Sequence, residues 1–419
     1  MQQIGPMILR TTTSRRHGLV PTSLGIEAIV AVALTVNLLG CAPSTAPSPA
    51  AVTAASASPK PAVPSEPVER KALAPDILRQ RLELAIEHVR SRQLQTTNSF
   101  WTVFHGILGL GPNVEIVDTN TQAKTRALTY IFSGDKRFGE IRGARFVPTA
   151  DGLDVTIGPT HVGQGHQDQF IAEIAQWGVP KETPVVVFGK QYSMMDFVKE
   201  AMAHSRIGQE LSWSTVVIAS YVGTDAEWTN RFGEKLTFDQ LLESEWKASI
   251  EQAACGGTHR LFGMTWCYFT HKRNGGDVEK GIWKNVKEKL DAHVELARKH
   301  QNPDGSFSSN YFRPGSSTSL SDRLASSGHI FEWLASHLPD DVVREPWMQD
   351  ACMSVSLMIL DAKNLPMESG ALYHATHGLI TYHQRLFKSP QSEPDPATHE
   401  TASPAPAVTV PESEIKESP

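Results

Sequence analysis

The sequence predicts an all-α fold, an (α/α)6 toroid of six helical hairpins with a small β-hairpin insertion near residues 138–158. Three observations carry this expectation. Amphipathic segments with one charged face alternate with segments that are apolar or small nearly all round. The alternation repeats six times, at about 50 residues per pair. A stretch rich in β-branched residues around Asp151-Gly152 interrupts the helical period once.

Leu78, Leu82, Ala85, Ile86 and Val89 mark one face of a first helix, which follows Pro75-Asp76. A weaker second helix of this wet-faced kind spans Ala123 to Phe132. Phe197, Ala201 and Met202 mark a third, and Leu241, Leu242, Trp246 and Ile250 a fourth. Ile282, Val286, Leu290, Val294 and Ala297 mark the next, with charges on its other side. Such spacing gives an apolar stripe that packs on a core while the opposite face stays in water.

Between them lie SFWTVFHGILGLG from Ser99, GHQDQFIAEIAQWG from Gly165, ELSWSTVVIASYV from Glu210, GTHRLFGMTWCYF from Gly257, SGHIFEWLASHL from Ser327 and GALYHATHGLITYH from Gly370. A helix that is apolar on every side is normally buried. The expected arrangement therefore has inner helices around an axis and outer helices at the rim. FGEIRGARFVPTADGLDVTIGP, from Phe138, is read as the β insertion.

The flanks are of another kind. Arg10, Arg15, Arg16 and His17 precede a short apolar run, Ile29 to Leu39, which ends in Leu38-Leu39-Gly40-Cys41. This resembles the lipobox of bacterial lipoproteins. The resemblance implies a signal peptide over 1–40, a lipid on Cys41, and an extracytoplasmic chain anchored to a bacterial membrane. Residues 41–71, rich in Ala, Pro and Ser, read as a tether. Residues 389–419 carry six acids against one lysine and read as a disordered acidic tail. The body is residues 72–388. A net charge of −6 with 20% charged residues argues against a nucleic-acid partner.

Three cysteines remain after Cys41, namely Cys255, Cys267 and Cys352, so no disulfide framework is expected. HVELARKHQNPDGSFSSNYF, from His293, resembles the repeat of terpenoid cyclases and protein prenyltransferases: a helix, Gln301, a turn, then Gly305-x-Phe307. The resemblance implies an α/α toroid. It does not bring their chemistry, because fold does not fix function. The Asp-x-Asp-Asp acid motif of squalene-type cyclases is missing, and Cys255-Gly256 lacks the Glu-Gln that a thioester domain needs.

Aligning the inner segments brings out a second repeat. His105, His259, His329 and His377 are each followed by small or apolar residues; His166 sits similarly, and Trp213 takes that place in the third segment. In a ring these positions converge, so His105, His166, Trp213, His259, His329, His374 and His377 are expected to line one central pocket. Three uses compete. The histidines can be structural, bonded to loops in a non-catalytic envelope scaffold or protein-interaction ring. They can line a pocket for a small molecule or glycan, with His259, His329, Tyr373, His377 and Glu332 as acid/base candidates; Asp168 and Glu173 are further carboxylates without a motif. Or they can bind zinc, with Cys255, His259, His374 and His377 as candidate ligands, since Cys255/His259 and His374/His377 share helix faces. Tyr373-His374 and Asp350-Ala351-Cys352 resemble the zinc ligands of prenyltransferase β-subunits. Cys352, however, falls on an outer helix, too near His374 in sequence for that set. Trp266-Cys267-Tyr268 resembles a zinc motif of lanthionine cyclases whose Cys-His-Gly partner is missing. The pocket reading is the expectation carried forward, with catalysis open.

Overall fold

The computed structural model describes residues 70–134, 146–158, 163–363 and 365–387. The segments read above as signal peptide, lipidated Cys41, nearly all of the tether, and acidic tail lie outside the described residues. Thirteen α-helices are present among the described residues, packed helix on helix in the manner of a helical repeat or bundle. No helix among them is long and apolar enough to cross a membrane.

The predicted alternation of burial is present. One set comprises α1 (Pro75–Ser91), α3 (Ala127–Phe132), α5 (Met194–His204), α7 (Phe238–Lys247), α9 (Gly281–Lys299) and α12 (Pro346–Ala362). In α1 and α9 a stripe is buried and the other face is wet, with only Trp283, Val286, Leu290, Val294 and Ala297 buried in α9; α12 is more deeply packed, with only Leu357 and Asp361 exposed. The other set comprises α2 (Phe100–Leu110), α4 (Gln169–Ala175), α6 (Ser212–Tyr221), α8 (Thr258–Arg273), α10 (Leu320–His337) and α13 (Ser369–Phe387). Every residue of α4 is buried. A one-turn helix, α11 (Asp340–Val343), lies between α10 and α12. Among the buried set, α13 packs on both α10 and α2, α4 on α2 and α6, and α8 on α6 and α10.

Helix starts follow local chemistry. Ser99, Thr237 and Ser319 accept a backbone N–H at the heads of α2, α7 and α10, and Thr237 with Gln240 forms a reciprocal capping box. Pro346 stands in the first turn of α12, where its missing N–H costs nothing.

The hairpin expected around Asp151-Gly152 is present as β4 (Phe146–Pro148) against β5 (Leu153–Val155); residues 135–145 lie outside the described residues. Phe146 fixes this hairpin to the core, with its ring stacked 5.6 Å from Phe170 and edge-on to Phe197 at 5.0 Å. Seven further short strands were not anticipated. β1 (Leu94–Gln95), β2 (Glu115–Val117) and β3 (Lys124–Arg126) form one sheet. β6 (Pro184–Val187) pairs with β7 (Lys190–Ser193), and β8 (Glu227–Thr229) with β9 (Lys235–Thr237). Each ribbon links a buried helix to the wet-faced helix after it. Strands this short are too brief for a clear period of two. The usable signal was the turn: Phe188 and Gly189 have φ of 50° and 74°, as a type I′ hairpin turn requires.

The segment from Gln301 to Phe307 forms a tight turn after α9. Gln301 Nε2 donates to the carbonyls of Gly305 and Trp347, both at 2.9 Å, and Phe307 is buried. At the N-terminal edge of the described residues Arg70 pairs with Asp350 at 2.6 Å, so Asp350 is held in a partly buried ion pair.

Candidate metal centre

The site is built where α10 and α13 cross. Gly378 sets the spacing: a Cβ there would stand 2.8 Å from Glu332 Cα. With the backbones so close, two histidines one turn apart on α13 reach the same carboxylate. His374 Nδ1 donates to Glu332 Oε2 and His377 Nδ1 to Oε1, both at 2.7 Å. All three side chains are buried.

Helices α2 and α10, and the turn before α4, bring imidazoles to the same place with their Nδ1 atoms already engaged. His105 Nδ1 donates to the Trp101 carbonyl at 2.8 Å and His329 Nδ1 to the Ala325 carbonyl at 2.7 Å, each one turn back on its own helix. His166 Nδ1 pairs with Glu210 Oε2 at 3.0 Å. A proton held at Nδ1 leaves Nε2 with its lone pair, which is how metal-binding histidines are commonly oriented.

His259 differs. It is 5% exposed, and neither ring nitrogen has a hydrogen-bond partner among the described residues. Its ring centroid lies 5.1 Å from His166, 5.0 Å from Trp213, 5.3 Å from His329 and 5.4 Å from His374. Leaving a buried polar group unpaired costs about 1–3 kcal/mol. A histidine kept only for packing is not expected in that state.

Among the described residues, two buried groups have donor atoms mutually within 4.8 Å: Cys255, His259 and His329; and His105, Glu173 and His374. Cys255 sits in a 3-10 turn, Ala254–Gly257, at the head of α8, with φ 48° and ψ 43°. A non-glycine residue held there is uncommon and costs about 1–2 kcal/mol. That turn places Cys255 beside His259.

The ionisation states are set by burial and by the carboxylates. Burial holds His105 and His259 well below the usual imidazole range and lowers His329 to about 3, so these rings are neutral. Burial pushes Glu173 up to about 8. Burial alone would lower His374 and raise Glu332; their mutual charge and hydrogen bond overcome it, so His374 is raised and Glu332 lowered. Burial raises the Cys267 thiol to about 12 and raises that of Cys352 too, and both side chains are fully buried in the core. No disulfide joins Cys255, Cys267 and Cys352.

The structure sorts the residues singled out in the sequence. His105, His166, Trp213, His259, His329 and His374 form one set of mutually contacting rings. The candidate metal ligands regroup: Cys255 and His259 are joined by His329, and His374 by His105 and Glu173, whereas His377 belongs to neither group. The physical reason is Glu332, which engages Nδ1 of both α13 histidines while His377 turns to Trp177, 5.6 Å away. His377 also lines an open cavity of about 300 Å³ with Trp177, Phe262, Trp266 and Phe269. Tyr373 faces elsewhere, against Gly109, beside a surface groove bordered by Leu94 and Val114.

Asp168 belongs to a separate network. Its Oδ2 accepts from Ser214 Oγ and from His204 Nε2, the latter at 3.0 Å. Burial would lower His204, but the charge and hydrogen bond of Asp168, aided by Glu200, raise it to about 10. A histidine raised on folding stabilises fully below its unfolded value near 6.5 and loses that contribution as pH climbs through about 10. Urea unfolding is therefore expected to show a loss on the order of a few kcal/mol between about pH 6.5 and 10. His204→Ala should flatten that slope, and an unchanged slope in the variant would rule the pair out as its source.

Sequence reading missed Gln169, Glu210 and Trp177. Gln169 Nε2 donates to Glu173 Oε1 at 2.9 Å and lies 3.4 Å from His105 Nε2. The signal was a polar residue, Gln169, in the segment GHQDQFIAEIAQWG, four residues before a buried Glu, where only an inward-facing partner explains it. No protein-family model, curated protein or solved structure matches this chain.

Proposed function

We propose that this protein is a bacterial envelope lipoprotein whose helical repeat closes as an (α/α)6 toroid and binds zinc at Cys255, His259 and His329. The observation that carries the reading is His259, buried with both ring nitrogens unpaired beside a cysteine and a second imidazole. A thiolate and two imidazoles suit zinc, and three protein ligands leave a fourth position for water or substrate. Zinc in such a position lowers the pKa of its water to about 7 and supplies a nucleophile. The sequence of contacts among the buried helices, with α13 returning to α2, supports the ring.

The test is metal content by elemental mass spectrometry on the full chain, purified without a His tag. Stoichiometric zinc is expected, reduced by one equivalent in His259→Ala and in Cys255→Ser. Well-folded protein without metal, and unable to take up added zinc, would overturn the reading.

The small-molecule or glycan reading keeps one specific support. The open cavity beside His377 presents Trp177, Phe262, Trp266 and Phe269 together with Thr265, Gln384 and Arg385. Aromatic faces with a few polar groups suit a small organic ligand. Quenching of tryptophan fluorescence by an added ligand, abolished in Trp177→Ala, tests it.

A further inference from the structure

We infer that His105, Glu173 and His374 form a second divalent-cation site packed directly against the first, so that the buried core holds a pair of metal ions. The inference rests on the zinc reading above and adds a second ion with different chemistry.

The donors come from three helices, α2, α4 and α13, and all are buried. Both imidazoles are held from behind. His105 Nδ1 is engaged by the Trp101 carbonyl and His374 Nδ1 by Glu332, so each has Nε2 left to face a cation. A carboxylate behind a ligating histidine fixes its tautomer and strengthens it as a donor. Glu332 holds that position toward His374 and belongs to neither donor group.

Glu173 supplies the oxygen. Its Oε1 lies 3.6 Å from His105 Nε2, while Oε2 is buried with no hydrogen-bond partner among the described residues. A carboxylate in a dry core with one oxygen unpaired is costly unless a cation or donor meets it. Gln169 steadies the other oxygen through its 2.9 Å bond and makes a long 3.4 Å contact to His105 Nε2. Metal binding displaces only that long contact and leaves the bond to Glu173.

The donor atoms lie within 4.8 Å of one another. Four-coordinate zinc with ligands at about 2.1 Å needs donors about 3.4 Å apart, which modest side-chain rotation supplies. The two sites share walls: the His374 ring stands 4.3 Å from His329 and 5.4 Å from His259, both ligands of the first ion. The donor sets differ. Sulfur and two nitrogens favour zinc, while two nitrogens and a carboxylate also accept harder first-row ions.

The experiment is cobalt(II) titration of the metal-stripped full chain, followed by equilibrium dialysis and by the thiolate-to-cobalt charge-transfer band. Wild type is expected to take two equivalents, one of which carries the band. Glu173→Gln should take one, with the band kept; Cys255→Ser should take one, with the band lost. His105→Gln replaces Glu173→Gln if that variant does not give the wild-type circular dichroism spectrum. Saturation of wild type at one equivalent with the band present overturns the second site and leaves the first. Two equivalents retained in Glu173→Gln do the same. One equivalent without the band, lost in Glu173→Gln, sinks the cysteine site and leaves this one. No cobalt bound removes both.

Discussion

Glu332→Ala is expected to destabilise the protein by about 3–5 kcal/mol, measured by urea unfolding. Glu332 accepts from His374 and His377 with both bonds at 2.7 Å, and all three side chains are buried. Alanine leaves two buried imidazole N–H groups unpaired, at about 1–3 kcal/mol each, and removes packing volume beside Gly378. Glu332→Gln keeps the shape and one carbonyl oxygen, so it should lose roughly half as much. The order is the diagnostic part. If alanine and glutamine variants are both as stable as wild type, the two bonds do not hold α10 to α13. If glutamine is as damaging as alanine, the charge rather than the acceptor geometry carries the interaction.

Gly257→Ala should be at least as severe, with a loss of about 3–5 kcal/mol or failure to accumulate folded protein. Gly257 has φ +86° at the head of α8, and a Cβ there would stand 2.4 Å from the Ile250 carbonyl oxygen. A backbone atom cannot rotate away, so the turn carrying Cys255 must shift. Gly275 gives the control within the same chain: its φ is +84°, but nothing lies within 4 Å of its Cβ position. Gly275→Ala should therefore cost only the left-handed strain, about 1–2 kcal/mol. Equal costs at the two positions would mean that φ, and not the contact with Ile250, makes Gly257 necessary.

These two experiments probe parts of the site that differ in how far they could be foreseen. That six apolar segments would be buried follows from their composition alone, because a helix without a polar face has nowhere else to go. A histidine recurring in those segments follows from reading them side by side. The partners of each histidine do not follow. Glu332 lies 42 residues from His374, and their meeting depends on a helix crossing that Gly378 permits. Grouping Cys255 and His259 rested on their spacing in the chain; His329 joined them only through packing. His374 and His377, also close in sequence, ended in different surroundings because one carboxylate spans both.

The short ribbons illustrate the converse. Three-residue strands such as β8 and β9 have too little periodicity to be read, and they exist because the turns and the helices beside them hold the ends together. The sequence by itself therefore determined which segments are helical, which of those are buried and which residue types they carry inward, since burial is decided by the local balance of apolar and charged groups. Tertiary structure alone decided which imidazole keeps a partner, which carboxylate is shared and which donors stand within reach of one ion, since those depend on distances of a few ångströms between helices far apart in the chain.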